Sequence, residues 1–135
     1  LYLVGGGEEE AMLRELVKEL NVEESVVFLG FQKNPYRDIK ECDLFVLSSL
    51  YEGFATIINE SLIAGTPVLT TNVSGTDEQI TQKEYGWIVE NTQEALNEGL
   101  YEALSHHEVL QQMKESLKGY HYDNELILKK FEEVL

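Results

Sequence analysis

At 135 residues, 43% of them hydrophobic, the chain has the length of one domain and enough apolar material for a core. Ten Lys and Arg against 25 Asp and Glu leave a formal net charge of -15, which requires a largely acidic, solvated surface and argues against nucleic acid or an anionic membrane as a partner. No apolar run approaches the ~20 residues of a membrane-spanning helix, and no signal peptide is visible.

In chain order, Leu1-Tyr2-Leu3-Val4 reads as a strand, followed by Gly5-Gly6-Gly7 and a helix from about Glu8 to Leu20. Met12, Leu13, Leu16, Val17 and Leu20 give that helix one apolar face, acids in its first turn favour its dipole, and Asn21 is its stop. Val26 to Leu29 is a second strand, Tyr36 to Glu41 a short helix, and Asp43 to Leu47 a buried strand. Cys42 sits just before that strand as a small packing residue, and a single thiol forms no internal disulfide. A helix starting at Ala55 or Thr56 ends at Gly65-Thr66-Pro67, where glycine caps it and proline forbids continuation.

Pro67 to Thr71 and Tyr85 to Val89 continue the series of strands, with a small helix from Thr76 between them; Thr76 with Gln79 has the form of a capping box. From Thr92 the pattern is helical, with Leu96, Leu100 and Leu104 on one face and Val109, Leu110, Met113 and Leu117 on another. Asn124 to Leu135 keeps Ile127, Leu128, Phe131, Val134 and Leu135 apolar. Alternating strand and helix predicts an α/β fold with a parallel sheet flanked by helices. No repeat or linker interrupts it, so residues 1–135 read as a single domain. His106, His107 and His121 lack ligand spacing and read as surface residues, which leaves no metal site.

The segment Glu52-Gly53-Phe54-Ala55-Thr56-Ile57-Ile58-Asn59-Glu60 places two carboxylates around a glycine turn at the carboxyl end of a strand, where open α/β sheets bind ligands. The first amides of the following helix have no intrahelical partner and suit an anion. Glu60, projecting back toward the helix start, can accept two hydroxyl donors, such as the vicinal hydroxyls of a ribose. Glu52, in the turn, can reach what lies beyond the phosphates. Spacing alone favours a solvated loop acid at Glu52 and an exposed helix position at Glu60 over a ligand site.

The nine-residue segment resembles the paired-glutamate signature of retaining glycosyltransferases with two facing Rossmann-like domains, the GT-B fold. Around it, Gly30-Phe31-Gln32-Lys33-Asn34-Pro35, Asp43-Leu44-Phe45-Val46-Leu47-Ser48-Ser49, Ala64-Gly65-Thr66-Pro67-Val68 and Gly75-Thr76-Asp77-Glu78 follow in that family's order. The chain is similar to the C-terminal, donor-binding domain, and within the family to bacterial capsule, exopolysaccharide and lipopolysaccharide transferases.

The resemblance implies transfer of a sugar from a nucleotide diphosphate sugar, by default a uridine diphosphate sugar, to an acceptor hydroxyl with retention and without metal or cofactor. It assigns Glu60 to the ribose, Glu52 to the donor sugar, and the backbone of Gly53, Phe54 and Ala55 to the phosphates. Thr56 either caps the helix or meets a phosphate. Phe31, Lys33 and Asn34 flank the base, and Gly6 and Gly7 lie near the diphosphate or else form a bare strand-to-helix turn. The acceptor, a glycan or lipid-linked glycan, is expected in a domain preceding Leu1, as are one more strand and helix with the basic pair that grips the diphosphate. The chain then reads as a part that is inactive alone, of a cytoplasmic enzyme at the inner face of a membrane that this domain does not itself touch. The alternative is a non-catalytic nucleotide-binding module of the same fold. Dinucleotide binding is disfavoured because no complete Gly-x-Gly-x-x-Gly follows Val4.

Overall fold

The computed structural model describes residues 1–80 and 84–122, so the apolar segment from Asn124 lies outside the described residues. The chain divides into two compact units, Leu1–Arg37 and Asp38–Leu135.

In the first unit, β1 (Tyr2–Val4) pairs in parallel with β2 (Val27–Gly30). Between them run α1 (Glu10–Glu19) and a 3-10 turn, Glu23–Ser25. Glu10 lies in the first turn of α1 and Lys18 in its last, matching the helix dipole. Asn21, at φ 53°, takes the left-handed position after the helix, as its short polar side chain allows. The apolar face expected of α1 is present but not covered: none of its residues is buried, and Met12, Leu13, Leu16 and Leu20 are exposed.

Helix α2 (Tyr36–Glu41) contains the boundary between the units. In the second unit β3 (Phe45–Leu47), β4 (Val68–Thr71) and β5 (Gly86–Val89) form a parallel sheet in the order β3-β4-β5. The period-two alternation of a strand divides their side chains between two cores. Phe45, Leu47, Val68 and Ile88 pack with Ile58 and Leu62 of α3 (Thr56–Ala64). Val46, Leu69, Trp87 and Val89 pack with Leu100 and Ala103 of α5 (Gln93–Ser105) and with Leu110 and Met113 of α6 (His107–Leu117). Between α3 and α5 comes the four-residue α4 (Thr76–Gln79). Because both faces of the sheet are covered, β4 is buried along its whole length, and its sequence is accordingly an unbroken run of small and apolar residues.

Two expectations fail on physical grounds. Leu104 is exposed and Ala103 takes its place in the core, because seven residues keep a helical face while the eight from Leu96 to Leu104 rotate well off it. The capping box at Thr76 does not form: Gly75, at φ 81°, is the cap residue of α4, Thr76 Oγ1 donates to Val73 O at 2.9 Å, and Gln79 turns elsewhere.

Candidate active site

The strand-end turn between β3 and α3 is held by side chains from all three strand ends of its unit. Thr71 Oγ1, at the end of β4, donates to Ser49 O at 2.6 Å. Asn91 Nδ2, just beyond β5, donates to Leu50 O at 2.8 Å. Ser49 in turn donates its hydroxyl to Glu52 Oε1 at 2.7 Å, so the half-buried carboxylate is oriented by a residue that is itself anchored to the sheet. A charge-assisted bond of this kind is stronger than a neutral one and fixes direction as well as position.

After Glu52 the backbone makes an inverse γ-turn centred on Ala55 (φ -81°, ψ 81°), with Thr56 N donating to Phe54 O at 3.0 Å. Ala55, almost fully buried, is the cap residue of α3, and Ile58 N donates to its carbonyl at 3.0 Å. No side chain caps α3, so of the two roles open to Thr56 the capping one falls away. The Thr56 amide is spoken for by Phe54, whereas the amides of Gly53, Phe54 and Ala55 donate to no described residue. Among the described residues, three adjacent amides without a partner thus lead into the nine-residue helix.

Glu60 is half-buried one turn further along α3, and no described residue donates to its carboxylate. Phe54 is half-exposed and lays its ring against Gly75, where a Cβ would come within 3.2 Å of it. At the other end of α3, Gly65 at φ 85° closes the helix with its amide on Leu62 O, and Ser61 Oγ donates to Thr66 O at 2.9 Å. Glu52, Gly53, Phe54, Ala55, Thr56 and Glu60 therefore belong to one local structure.

The remaining candidates lie in the first unit. Gly6 and Gly7 join β1 to α1 and, with Glu9, Glu10, Leu13 and Phe28, line a shallow cavity. Its acidic rim is partly offset, since Arg14 donates to Glu10 Oε1 at 2.7 Å and lies over the Phe28 ring. Phe31 is 86% exposed and Lys33 is also exposed. Asn34 Oδ1 accepts from Tyr36 N at 3.2 Å, so its side chain caps α2. Gln32 Nε2 donates to Leu29 O at 2.7 Å and pins this loop to the end of β2.

Sequence reasoning missed four residues that shape the turn: Ser49 as the partner of Glu52, then Thr71, Asn91 and Gln79. Ser49 and Thr71 stand at the ends of predicted strands, which is the one signal the sequence offers for them. Among the described residues no group of His, Cys, Asp or Glu is placed to hold a metal ion, and no helix is long and apolar enough to cross a membrane.

In open α/β sheets ligands bind in the crevice beyond the carboxyl ends of the strands, which is where this turn lies. The comparison with known proteins is more specific. The profile described as Glycosyl transferases group 1 matches residues 1–119, and the chain belongs to that family. It is 40% identical over 91 residues to the N-acetylgalactosamine-N,N'-diacetylbacillosaminyl-diphospho-undecaprenol 4-alpha-N-acetylgalactosaminyltransferase of Campylobacter jejuni, covering 67% of this chain and 25% of that protein.

Among solved structures it is similar to WaaG, a glycosyltransferase involved in lipopolysaccharide biosynthesis (TM-score 0.78, 27% identity, 89% of this chain and 33% of the other). It also shares the fold of Anabaena HepE, solved in complex with UDP (TM-score 0.73, 23% identity, 86% of this chain and 34% of the other). The architecture is that of the GT-B glycosyltransferases, and the match spans a quarter to a third of these relatives' length.

Proposed function

We propose that the chain is the donor-binding part of a glycosyltransferase that moves a sugar from a nucleotide diphosphate sugar, with uracil as the base, to an acceptor hydroxyl with retention, in bacterial surface polysaccharide synthesis. The observation that carries this reading is the turn between β3 and α3. There a carboxylate without a partner among the described residues, Glu60, follows on α3 after three amides that donate to no described residue, and a second carboxylate, Glu52, is held in place by Ser49. The diphospho-undecaprenol-linked acceptor in the name of the Campylobacter jejuni relative and the UDP bound to the Anabaena protein support the substrate classes.

In this reading the diphosphate sits on the Gly53, Phe54 and Ala55 amides, with Thr56 beside it. Glu60 accepts the ribose hydroxyls. The base lies along Phe31 to Asn34, contacted through backbone groups, since the Asn34 side chain is already committed to α2. Glu52 faces the donor sugar. Charge builds on the diphosphate as the glycosidic bond breaks, and preorganised amides stabilise that charge without having to reorient. A carboxylate near the anomeric carbon stabilises the positive charge left on the sugar. The acceptor site is placed outside these 135 residues, so the chain alone binds donor without transferring it, and the whole enzyme works on the cytoplasmic side of the membrane.

Calorimetric titration of the chain with uridine, guanosine and adenosine diphosphates tests this. Saturable binding of the uridine nucleotide, lost in Glu60→Ala, is the expected result. Binding of another base reassigns the donor. Binding unaffected by the substitution removes Glu60 from the ribose.

A further inference from the structure

We propose that Gln79 is a positioning residue for the phosphate-binding turn: from α4 it holds the Ala55 carbonyl, and so fixes the peptide through which the Gly53, Phe54 and Ala55 segment joins α3. The inference rests on the donor-binding reading above and adds a residue to it that does not touch the ligand.

Gln79 is only 7% exposed, and its Nε2 donates to Ala55 O at 3.0 Å across 24 residues of chain. Among the described residues its Oε1 is buried without a partner. A buried, unpaired amide oxygen is unfavourable, so for packing alone a hydrocarbon of the same size would serve better. What glutamine offers that a hydrocarbon cannot is a donor aimed at one carbonyl.

That carbonyl has leverage. Ala55 is the centre of the inverse γ-turn and the cap residue of α3, and the same oxygen receives the Ile58 amide. Rotating the peptide that follows Ala55 would therefore disturb the turn and the first helical bond together. A second contact acts on the preceding residue: the Phe54 ring lies against Gly75, whose φ of 81° and missing Cβ allow the approach. The α4 segment is itself fixed, since Thr76 is fully buried with its hydroxyl on Val73 O. Two neighbouring residues of the turn are thus held by one short, rigid element.

The test uses Gln79→Met, which keeps the shape and removes the donor, and Gln79→Glu, which turns an acceptor toward the carbonyl. Amide hydrogen exchange and titrations with uridine diphosphate and with uridine are measured on the 135-residue chain. We expect Ile58 to exchange about tenfold faster in both variants while β4 and β5 keep their protection. Affinity for uridine diphosphate should fall about tenfold, equivalent to about 1.4 kcal/mol, and affinity for uridine should not change. Gly75→Ala, which presses a methyl on Phe54, should give the same split and serves if the Gln79 variants fold poorly.

Equal loss for both ligands, or unchanged exchange at Ile58, would overturn the positioning role. A wild-type chain that binds neither ligand overturns the donor reading and the phosphate role with it. The exchange data would still report separately whether Gln79 holds the turn.

Discussion

The two units solve the same local problem, a ligand turn after a parallel strand, with different means. In Asp38–Leu135 the turn after β3 rests on a buried sheet, and Thr71, Asn91, Ser49 and Gln79 each spend a side-chain hydrogen bond on it or on its carboxylate. In Leu1–Arg37 no residue of β1 or α1 is buried, and the loop after β2 is held by the bonds from Gln32 Nε2 to Leu29 O and from the Tyr36 amide to Asn34 Oδ1. The turn of the second unit is therefore preorganised by its own unit, whereas Phe31 and Lys33 of the first are exposed. Side chains should matter more to function and stability in the second unit than in the first.

The largest test of that contrast is in the cores. Leu69, fully buried between β3 and β5, should cost about 2 to 5 kcal/mol when cut to Ala, through lost burial and the cavity left behind. Leu16 in α1, 45% exposed, should cost under about 1 kcal/mol. Thermal or urea unfolding of the two variants measures the difference, and similar losses would break the comparison. Next in size is binding. Glu60→Ala removes charge-assisted hydrogen bonds of about 1.5 to 3 kcal/mol each and should weaken uridine diphosphate binding tenfold or more. Lys33→Ala, on the exposed loop of the first unit, should change it about twofold at most. A large Lys33 effect would mean that the first unit contributes side-chain charge after all.

A finer test separates Glu52 from its support. Ser49→Ala leaves the Glu52 carboxylate in place and removes the hydrogen bond that aims it. In the full-length enzyme we expect the transfer rate to drop about tenfold, with a smaller change in free-nucleotide affinity, and Ser49→Thr to restore most of it. Equal losses in rate and affinity would place Ser49 in the fold rather than behind Glu52.

These contrasts also define what could be read in advance. Element type and order were legible because apolar runs, Gly65 before Pro67 and the acids of α1 are local signals, and the paired-glutamate segment carried the family. What was not legible depends on neighbours distant in sequence. Nothing local distinguishes Gln79 in a capping box from Gln79 reaching 24 residues back to Ala55. Nor does the sequence tell that the apolar face of α1 stays uncovered, because amphipathic spacing announces a face and not its partner. Leu104 was misread for a simpler reason, a period of four taken where the helix turns in 3.6.

The smallest expected effect concerns the one ion pair that links distant parts of the second unit. Lys114 of α6 donates to Asp43 Oδ1, just before β3, at 3.0 Å; the lysine is largely covered and the aspartate exposed. Such a pair contributes about 0 to 1 kcal/mol and weakens with salt, so Lys114→Met should shift the melting temperature by only a few degrees, less at high ionic strength. It has a second readout in Cys42, whose Sγ lies 3.2 Å from Asp38 O. Burial raises the pKa of that thiol, the charges of Asp43 and Asp38 raise it further, and Lys114 lowers it. The raised value means that, above the ordinary thiol range, the unfolded chain loses its proton first, so stability contributed by the neutral thiol falls as pH rises there. Removing Lys114 should raise the thiol's pKa further and slow its alkylation at a given pH. The change should be modest, because burial, the largest cause, remains. Faster alkylation in the variant would mean that the pair matters by keeping Cys42 covered, and would make this contact between α6 and the β3 edge more consequential to the second unit than its charge alone implies.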